Sequence, residues 1–362
     1  MRRWTTRQVA RLAGVSPATV SRVLNQQGGV SPELARRVWE AVRQLEEGKY
    51  AEGGQTTCRV AVAIPRRIEA YDPEPVGGSF YGQVLLGVEE VLRSEGHYLS
   101  LFTYDPGAGP EWLNGLQDRC DALILMGADT PDELAREAAG KGLPVVVVDR
   151  HVRGVDSVIS DNVGGAEEVT AHVLAAGYRT VVYICETFQD PSFAARREGF
   201  DRAVQAAGRP VAVRYAEVGR GWLDAPGAME ELLATAELPM AVVAGNDLTA
   251  LQILAIARAR GLRVPEDLGL AGFDDIALAA RATPGLTTVR VDKVEMGRLA
   301  ARRLLDRIRE RDLLPVTITM HVALVVRGST DLGASRSDPR ADPAGATGRI
   351  IHPSQQTEGE SQ

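Results

Sequence analysis

Residues 5–31, TTRQVARLAGVSPATVSRVLNQQGGVS, constrain this chain more than any other stretch, because they spell two short helices joined by a tight turn. Val9, Ala10 and Ala13 recur at the spacing of one helix face, and Gly14 follows as a residue free to take positive φ. Ser16 can cap a second helix, Pro17 at its first position has no N–H to satisfy, and Val20, Val23 and Leu24 turn back toward the first helix. Pro17, Ala18, Ser21, Arg22 and Asn25 are left facing outward. A third helix begins at Ser31 and Pro32, with Leu34, Val38, Trp39, Val42 and Leu45 as its expected apolar stripe. This is the pattern of a helix-turn-helix, whose second helix enters the major groove of DNA. On that reading Pro17, Ala18 and Arg22 reach base edges, with Arg22 suited to bidentate contact with guanine. Thr5, Thr19, Ser21 and Asn25 then serve phosphates or positioning.

Charge is divided to match. The first 50 residues carry nine basic and four acidic side chains, a net of +5, in a chain of 362 residues whose net is −7. A basic head on an acidic body directs phosphate contacts to one end. The length suits a headpiece of about 50 residues and a sensor of about 270. Cys58, Cys120 and Cys185 are far apart and form no Cys-x-x-Cys pair, and MRRWTTRQVA lacks the apolar core of a signal peptide. Those features predict a cytoplasmic protein with reduced thiols, and no apolar run approaches the roughly 18 residues of a membrane span. Catalysis is not expected. There is no Gly-x-Ser-x-Gly elbow, Walker loop, His-Glu-x-x-His or dinucleotide glycine signature, and the five histidines are scattered without ligand spacing, so neither a metal nor a cofactor is expected.

From residue 59 onward, short β-branched apolar runs alternate with amphipathic stretches. RVAVAIP (59–65) and HYLSLFTY (97–104) are the first of these runs, and DALILM (121–126), PVVVVD (144–149), TVVYIC (180–185), MAVVAG (240–245) and LGLAGFD (268–274) suit strands buried on both faces. Helical patterns such as GQVLLGVEEVLRSEG (82–96) separate most of them, which predicts an α/β sensor with parallel sheets. Ligands of such sheets lie off the carboxyl ends of the strands. Asp149, Asn246, Asp247 and Asp274 fall there. A carboxylate accepting two hydroxyls and a guanidinium donating two hydrogen bonds would suit the vicinal diols of a sugar. The alternative is that Asp149, Asp161 and Asp274 merely cap helices and turns, as short polar residues at strand ends often do.

The run from Val9 to Asn25 follows the pattern VA-x-x-AGVS-x-x-TVSRVLN and resembles the start of the lactose-repressor (LacI) family of bacterial transcription regulators. The resemblance covers residues 5–330 through PVVVVDR (144–150), SDN-x-GGA (160–166), RREGF (196–200), GND (245–247), VPEDLGLAGFDD (264–275), PGLTTVRVD (284–292), EMGRLAARRLL (295–305) and LVVRGST (324–330). It implies a helix-turn-helix headpiece at 1–47, a hinge at 48–58 and a sensor of the periplasmic-binding-protein type at 59–332. The sensor would comprise two doubly wound parallel-sheet subdomains, the N-subdomain at about 59–160 and 291–318 and the C-subdomain at about 161–290 and 319–332. Residues 333–362 are polar and Pro/Gly-rich, lack the leucine heptads of a tetramerising bundle, and are expected to be disordered.

The resemblance further implies a homodimeric repressor on pseudo-palindromic double-stranded operator DNA, controlled by a small-molecule effector in the sensor cleft. The effector is a sugar on the leading reading and a nucleoside or other small polar metabolite on the other. Asp149, Arg196, Asn246 and Asp274 match effector-binding positions, Trp222 matches an aromatic that packs on the ligand, and Phe80 and Tyr81 match aromatics of the opposite lobe. Phe80 and Tyr81 could equally staple the start of the following helix. A non-regulatory sugar-binding protein would share the sensor fold, but the headpiece and the missing signal segment argue against it. One segment departs from the family pattern. EEGKYAEGGQTTC (46–58) stands where relatives carry Tyr-x-Pro-Asn and a hinge helix whose leucine wedges into the minor groove. Gly48, Gly53 and Gly54 oppose a helix by about 1 kcal/mol each, so a flexible linker and weaker DNA bending are expected.

Overall fold

A computed structural model describes residues 6–25, 29–46, 57–66, 79–105, 107, 109–116, 118–219, 225–235, 237–332 and 349–350. Thr5, Trp222 and residues 48–56 of the hinge lie outside the described residues.

The headpiece is three helices, α1 (Thr6–Ala13), α2 (Pro17–Leu24) and α3 (Pro32–Glu46). Gly14 takes φ +61°, the left-handed conformation that the turn between α1 and α2 requires. Val9, Ala10, Ala13, Val20 and Val23 pack on Val38, Ala41 and Val42 to form one small core. Trp39 was expected in that stripe and is instead 50% exposed. The inner face of α3 runs through Val38, Ala41, Val42 and Leu45, at steps of three and four residues, and Trp39 sits about 100° around the helix from Val38.

The sensor is built from two all-parallel sheets. The first runs, in spatial order, β11 (Thr317–Met320), β5 (Asp156–Ser160), β4 (Val145–Val148), β3 (Ala122–Met126), β1 (Arg59–Pro65) and β2 (Tyr98–Tyr104). The second runs β7 (Ala212–Glu217), β6 (Thr180–Cys185), β8 (Met240–Ala244) and β9 (Leu268–Ala271). Every residue of β3, β4 and β8 is buried, as strands covered on both faces must be. Strand order reverses between β1 and β3 in the first sheet and between β6 and β8 in the second. A crevice opens at the carboxyl ends of the strands at each such reversal.

The chain leaves the first sheet after β5 and builds the second. It returns through β10 (Thr288–Arg290) and the helix α11 (Lys293–Arg309) to β11. It then crosses once more to β12 (Ala323–Val326), which pairs antiparallel with β10, and Arg349–Ile350 adds to β12 as β13. The strands β5, β7, β10, β11 and β12 were not among the apolar runs read from the sequence. β7 and β11 are edge strands that mix exposed and half-buried residues, β10 and β12 are only three and four residues long, and β5 interrupts its apolar residues with Asp156, Ser157 and Ser160.

In the first lobe, the helix α4 (Phe80–Ser94) crosses α11 backbone to backbone. A Cβ on Gly87 would stand 1.9 Å from the carbonyl oxygen of Val294, and one on Gly297 would stand 2.0 Å from that of Val84. Both positions therefore require glycine. Gly140, at the end of the helix Asp132–Gly140 (α5), has open space around it. We expect Gly297→Ala to lose about 1–3 kcal/mol by overpacking and Gly140→Ala to lose nothing, measured by urea unfolding. Equal stability of the two variants would mean that the helix crossing is looser than described.

Candidate functional site

The exposed face of α2 is organised by one serine. Ser16 Oγ accepts the N–H of Thr19 at 3.1 Å and shares a hydrogen bond with the Thr19 hydroxyl at 2.9 Å, while Pro17 occupies the first turn. Thr19, expected at a phosphate, is thus half-buried and tied into the cap. Pro17, Ala18, Ser21, Arg22 and Asn25 are all exposed, and Asn25 Nδ2 donates to Ser21 Oγ at 3.3 Å. The face therefore carries two small residues near the N-terminus of α2, a polar pair and one arginine, a set that can enter a groove without a steric barrier.

In the sensor, the carboxyl ends of both sheets bring charged groups together. Asp149 follows β4 with φ +65° and is 7% exposed. Its Oδ2 accepts the Tyr81 hydroxyl at 2.7 Å, and its Oδ1 is buried with no hydrogen-bond partner among the described residues. Burial pushes the Asp149 carboxyl up to about 7, against the Tyr81 hydrogen bond and the Arg196 charge, and burial holds the Tyr81 hydroxyl well above its ordinary range. Ser79 caps α4 by accepting the N–H of Gly82 at 2.9 Å, which presents Phe80 and Tyr81 from its first turn with their rings edge to face at 5.0 Å.

Arg196, on the helix α7 (Pro191–Ala206), is 4% exposed. Its Nε donates to Asn162 Oδ1 at 2.8 Å, Nη1 to the Gly245 carbonyl at 2.5 Å and Nη2 to Asp274 Oδ1 at 3.2 Å. The guanidinium lies 3.8 Å from the Phe273 ring centroid. Asp274 takes φ +112°, and burial raises its carboxyl while Arg196 and Lys293 pull it back. Asn246 caps the helix α9 (Asp247–Ala259): its Oδ1 accepts the N–H of Thr249 at 2.8 Å, and its Nδ2 donates to Glu186 at 3.2 Å. Asp161 likewise caps the helix α6 (Asn162–Ala175) through Gly164 N–H at 2.9 Å. For Asp161 the capping role accounts for the residue.

Two residues of the constellation escaped sequence reasoning. Asp190 caps α7 through the N–H groups of Ser192 and Phe193, at 2.8 and 3.3 Å, yet burial raises its carboxyl and it lies within electrostatic reach of Arg196 and Tyr81. In sequence it reads only as the cap before Pro191. Asn162 orients Arg196, and although it stands in the SDN-x-GGA run, nothing local in the sequence ties it to that role.

The sequence profile of bacterial regulatory proteins of the lacI family matches residues 5–46, and that of the periplasmic binding protein-like domain matches residues 170–330. The HTH-type transcriptional regulator CelR of Thermobifida fusca is 32% identical over 339 residues, covering 91% of this chain and 98% of the relative. The chain belongs to the LacI family. It is a DNA-binding transcriptional regulator and not an enzyme. Another LacI-family relative, the HTH-type transcriptional repressor PurR of Haemophilus influenzae, is 29% identical over 318 residues, covering 85% of this chain and 92% of its own. A solved transcriptional regulator CelR–cellobiose complex is 31% identical with a TM-score of 0.66, covering 90% of this chain and 100% of that one. The Lac repressor dimer bound to operator shares the fold at 23% identity and a TM-score of 0.64, covering 90% of this chain and 99% of that one.

Asp247, at the start of α9, accepts the Thr288 hydroxyl at 2.5 Å and the N–H of Ile276 at 2.9 Å, and burial pushes its carboxyl up to about 8. With Asp149 at about 7, two carboxyls keep a proton in the native state that the unfolded chain releases above about pH 4. Their joint effect is to lower stability as pH rises from about 4 to about 8, and to level off beyond. The uncharged isostere Asp149→Asn should make that fall shallower and be more stable than wild type at about pH 8. Urea midpoints across this range check it, and an unchanged slope would show that the Asp149 carboxyl is solvated.

Proposed function

We propose that the protein is a homodimeric repressor whose hold on a pseudo-palindromic operator is set by a sugar bound between the two lobes of its sensor. The observation that carries this is the buried Asp149 Oδ1, which has no partner among the described residues and belongs to a carboxylate within electrostatic reach of Arg196, Asp190 and Asp274. A buried carboxylate oxygen calls for a hydrogen-bond donor, and a polyol offers several. Phe80 and Tyr81 supply an apolar wall beside it. The CelR relative's complex with cellobiose supports the sugar class. Asn246 keeps its Oδ1 on the α9 backbone, so its part in effector binding is limited to the amide nitrogen.

The sugar's donors favour the ionised Asp149, so sugar affinity should rise with pH up to about 7–8 and then level. A thermal-shift screen of sugars on the full chain, cellobiose included, finds the effector, because a ligand at 100 times its dissociation constant adds about 2.7 kcal/mol. Alanine at 274 would strand the buried Arg196 at a cost of about 3–5 kcal/mol, so the amide is the informative change. Asp274→Asn should bind operator like wild type without effector and lose the response to the sugar. An unchanged midpoint across an effector titration would place the effector elsewhere.

On the DNA side, one headpiece reads each half-site, in keeping with two-fold protein symmetry. Pro17, Ala18 and Arg22 meet base edges, and Ser21 and Asn25 the backbone. Arg22→Ala should lose about 1–3 kcal/mol of operator binding and relax one base position. A mobility-shift series against single-base operator variants checks this, and retention of the full base preference would overturn the assignment of α2.

Assembly is read from the first lobe. Leu86 on α4 and Tyr98 and Leu101 on the edge strand β2 are 47, 66 and 48% exposed, large apolar side chains that a second copy would cover. Light scattering should show a dimer for the wild type and a monomer for Leu101→Asp, with operator affinity falling in parallel. A Leu101→Asp dimer would put the interface on another face.

A further inference from the structure

Lys293 opens α11, at the point where the chain returns to the first lobe, and is 3% exposed. It is one of three lysines among 41 basic side chains. Its ammonium donates to three backbone carbonyl oxygens: that of Asp274 in a short contact, that of Asp275 at 3.3 Å and that of Val291 at 3.2 Å. A compact ammonium with three donors fits such a cage, whereas the planar fork of an arginine does not. Two of the three carbonyls belong to consecutive aspartates at φ +112° and +51°. Side-chain-bearing residues hold that conformation only when their surroundings enforce it. Here the enforcement is a cation from the other lobe. The same Nζ lies 5.8 Å from the Phe80 ring centroid, within cation–π range of the opposite cleft wall. The Asp275 carboxylate is clamped in turn by Arg290 and Arg327, each at 2.6 Å, so the turn is held from both sides.

We infer that Lys293 is a positioning residue that aims the Asp274 carboxylate into the cleft and couples the cleft to the first lobe. This rests on the effector site proposed above. Any rotation of the lobes about the crossover must either pull the Asp274 and Asp275 carbonyls off the ammonium or drag α11 with them. α11 is locked against α4 where Gly297 and Gly87 meet the opposing backbones, so a drag moves both helices together.

Lys293→Met keeps the length of the stem and removes the cation. In the unliganded full chain, hydrogen–deuterium exchange of residues 272–276 should quicken about tenfold or more, with β3 and β4 unchanged. In a second measurement cellobiose is the probe, and calorimetry should find it bound by Lys293→Met within about tenfold of wild type. The ratio of operator dissociation constants with and without cellobiose should then collapse to about one, where a coupled regulator shows about 5–150-fold. Unchanged exchange in the turn overturns the role of Lys293, and so does a wild-type ratio. Faster exchange throughout, β3 and β4 included, overturns it as well, because it reduces the lysine to general stability. Should the wild type itself ignore cellobiose, cellobiose fails as effector, and the exchange of residues 272–276 still decides the lysine.

Discussion

The second lobe is organised around the buried guanidinium of Arg196. A charge taken out of water is tolerated only where hydrogen bonds and counter-charge replace the solvent it lost. Arg196 obtains them from three places in the chain: Asn162 at the start of α6, the Gly245 carbonyl after β8, and Asp274 after β9. Each of these segments follows a strand or opens a helix at the cleft end of the fold. Satisfying one arginine therefore fixes the relative positions of three loops, and Phe273 closes the remaining face of the ring of donors. Gly199, on the same helix as Arg196, brings α7 close enough to α6 for the Asn162 contact, since a Cβ there would meet the Val163 carbonyl at 2.1 Å.

Legibility from the sequence follows burial. The strands β1, β3, β4, β6, β8 and β9 carry apolar runs because both faces are covered, and these runs are readable, whereas β5 is equally buried but holds Asp156, partnered by Arg303 and Arg307, with Ser157 and Ser160, and so does not read as one. Edge strands such as β7 mix polar with apolar residues and look like loops. In the headpiece, the Ser16–Pro17 start, Gly14 and the inward Val20 and Val23 were legible from local stereochemistry alone. Trp39 is apolar but lies off the inner face of α3, which the small Ala41 fills.

The site was legible in a different way. Arg196 stood out only through resemblance, and its pairing with Asp274 was not legible, because a long-range ion pair across 78 residues leaves no local pattern. Asp149 and Asp274 sit at strand ends, where a capping role is the ordinary explanation, and what separates them from a cap is visible only in three dimensions. Both have positive φ, Asp149 is buried and Asp274 half-buried, and Asp149 keeps one oxygen without a partner among the described residues. Asp161 and Asn246 occupy equivalent strand-end positions and spend their oxygens on helix N–H groups. The sequence pattern is the same for all four, and the hydrogen-bond inventory divides them.

That division bears on how a small molecule can govern DNA binding. An effector shifts a conformational equilibrium only by the difference between its affinities for the two states, so contacts confined to one rigid lobe shift nothing. Asp149 and Tyr81 belong to the lobe of the first sheet, whereas Arg196 and Asp274 belong to that of the second. Asp149 nonetheless lies within electrostatic reach of Arg196, and its carboxyl is held down by that charge against the effect of burial. A ligand that donates to Asp149 while touching the Arg196–Asp274 pair therefore binds more tightly the closer the lobes stand. The linker that would pass this closure to the headpiece begins beside β1, in the same lobe as Asp149. On the proposed reading, leverage on DNA therefore requires the effector to engage both Asp149 and the Arg196–Asp274 pair.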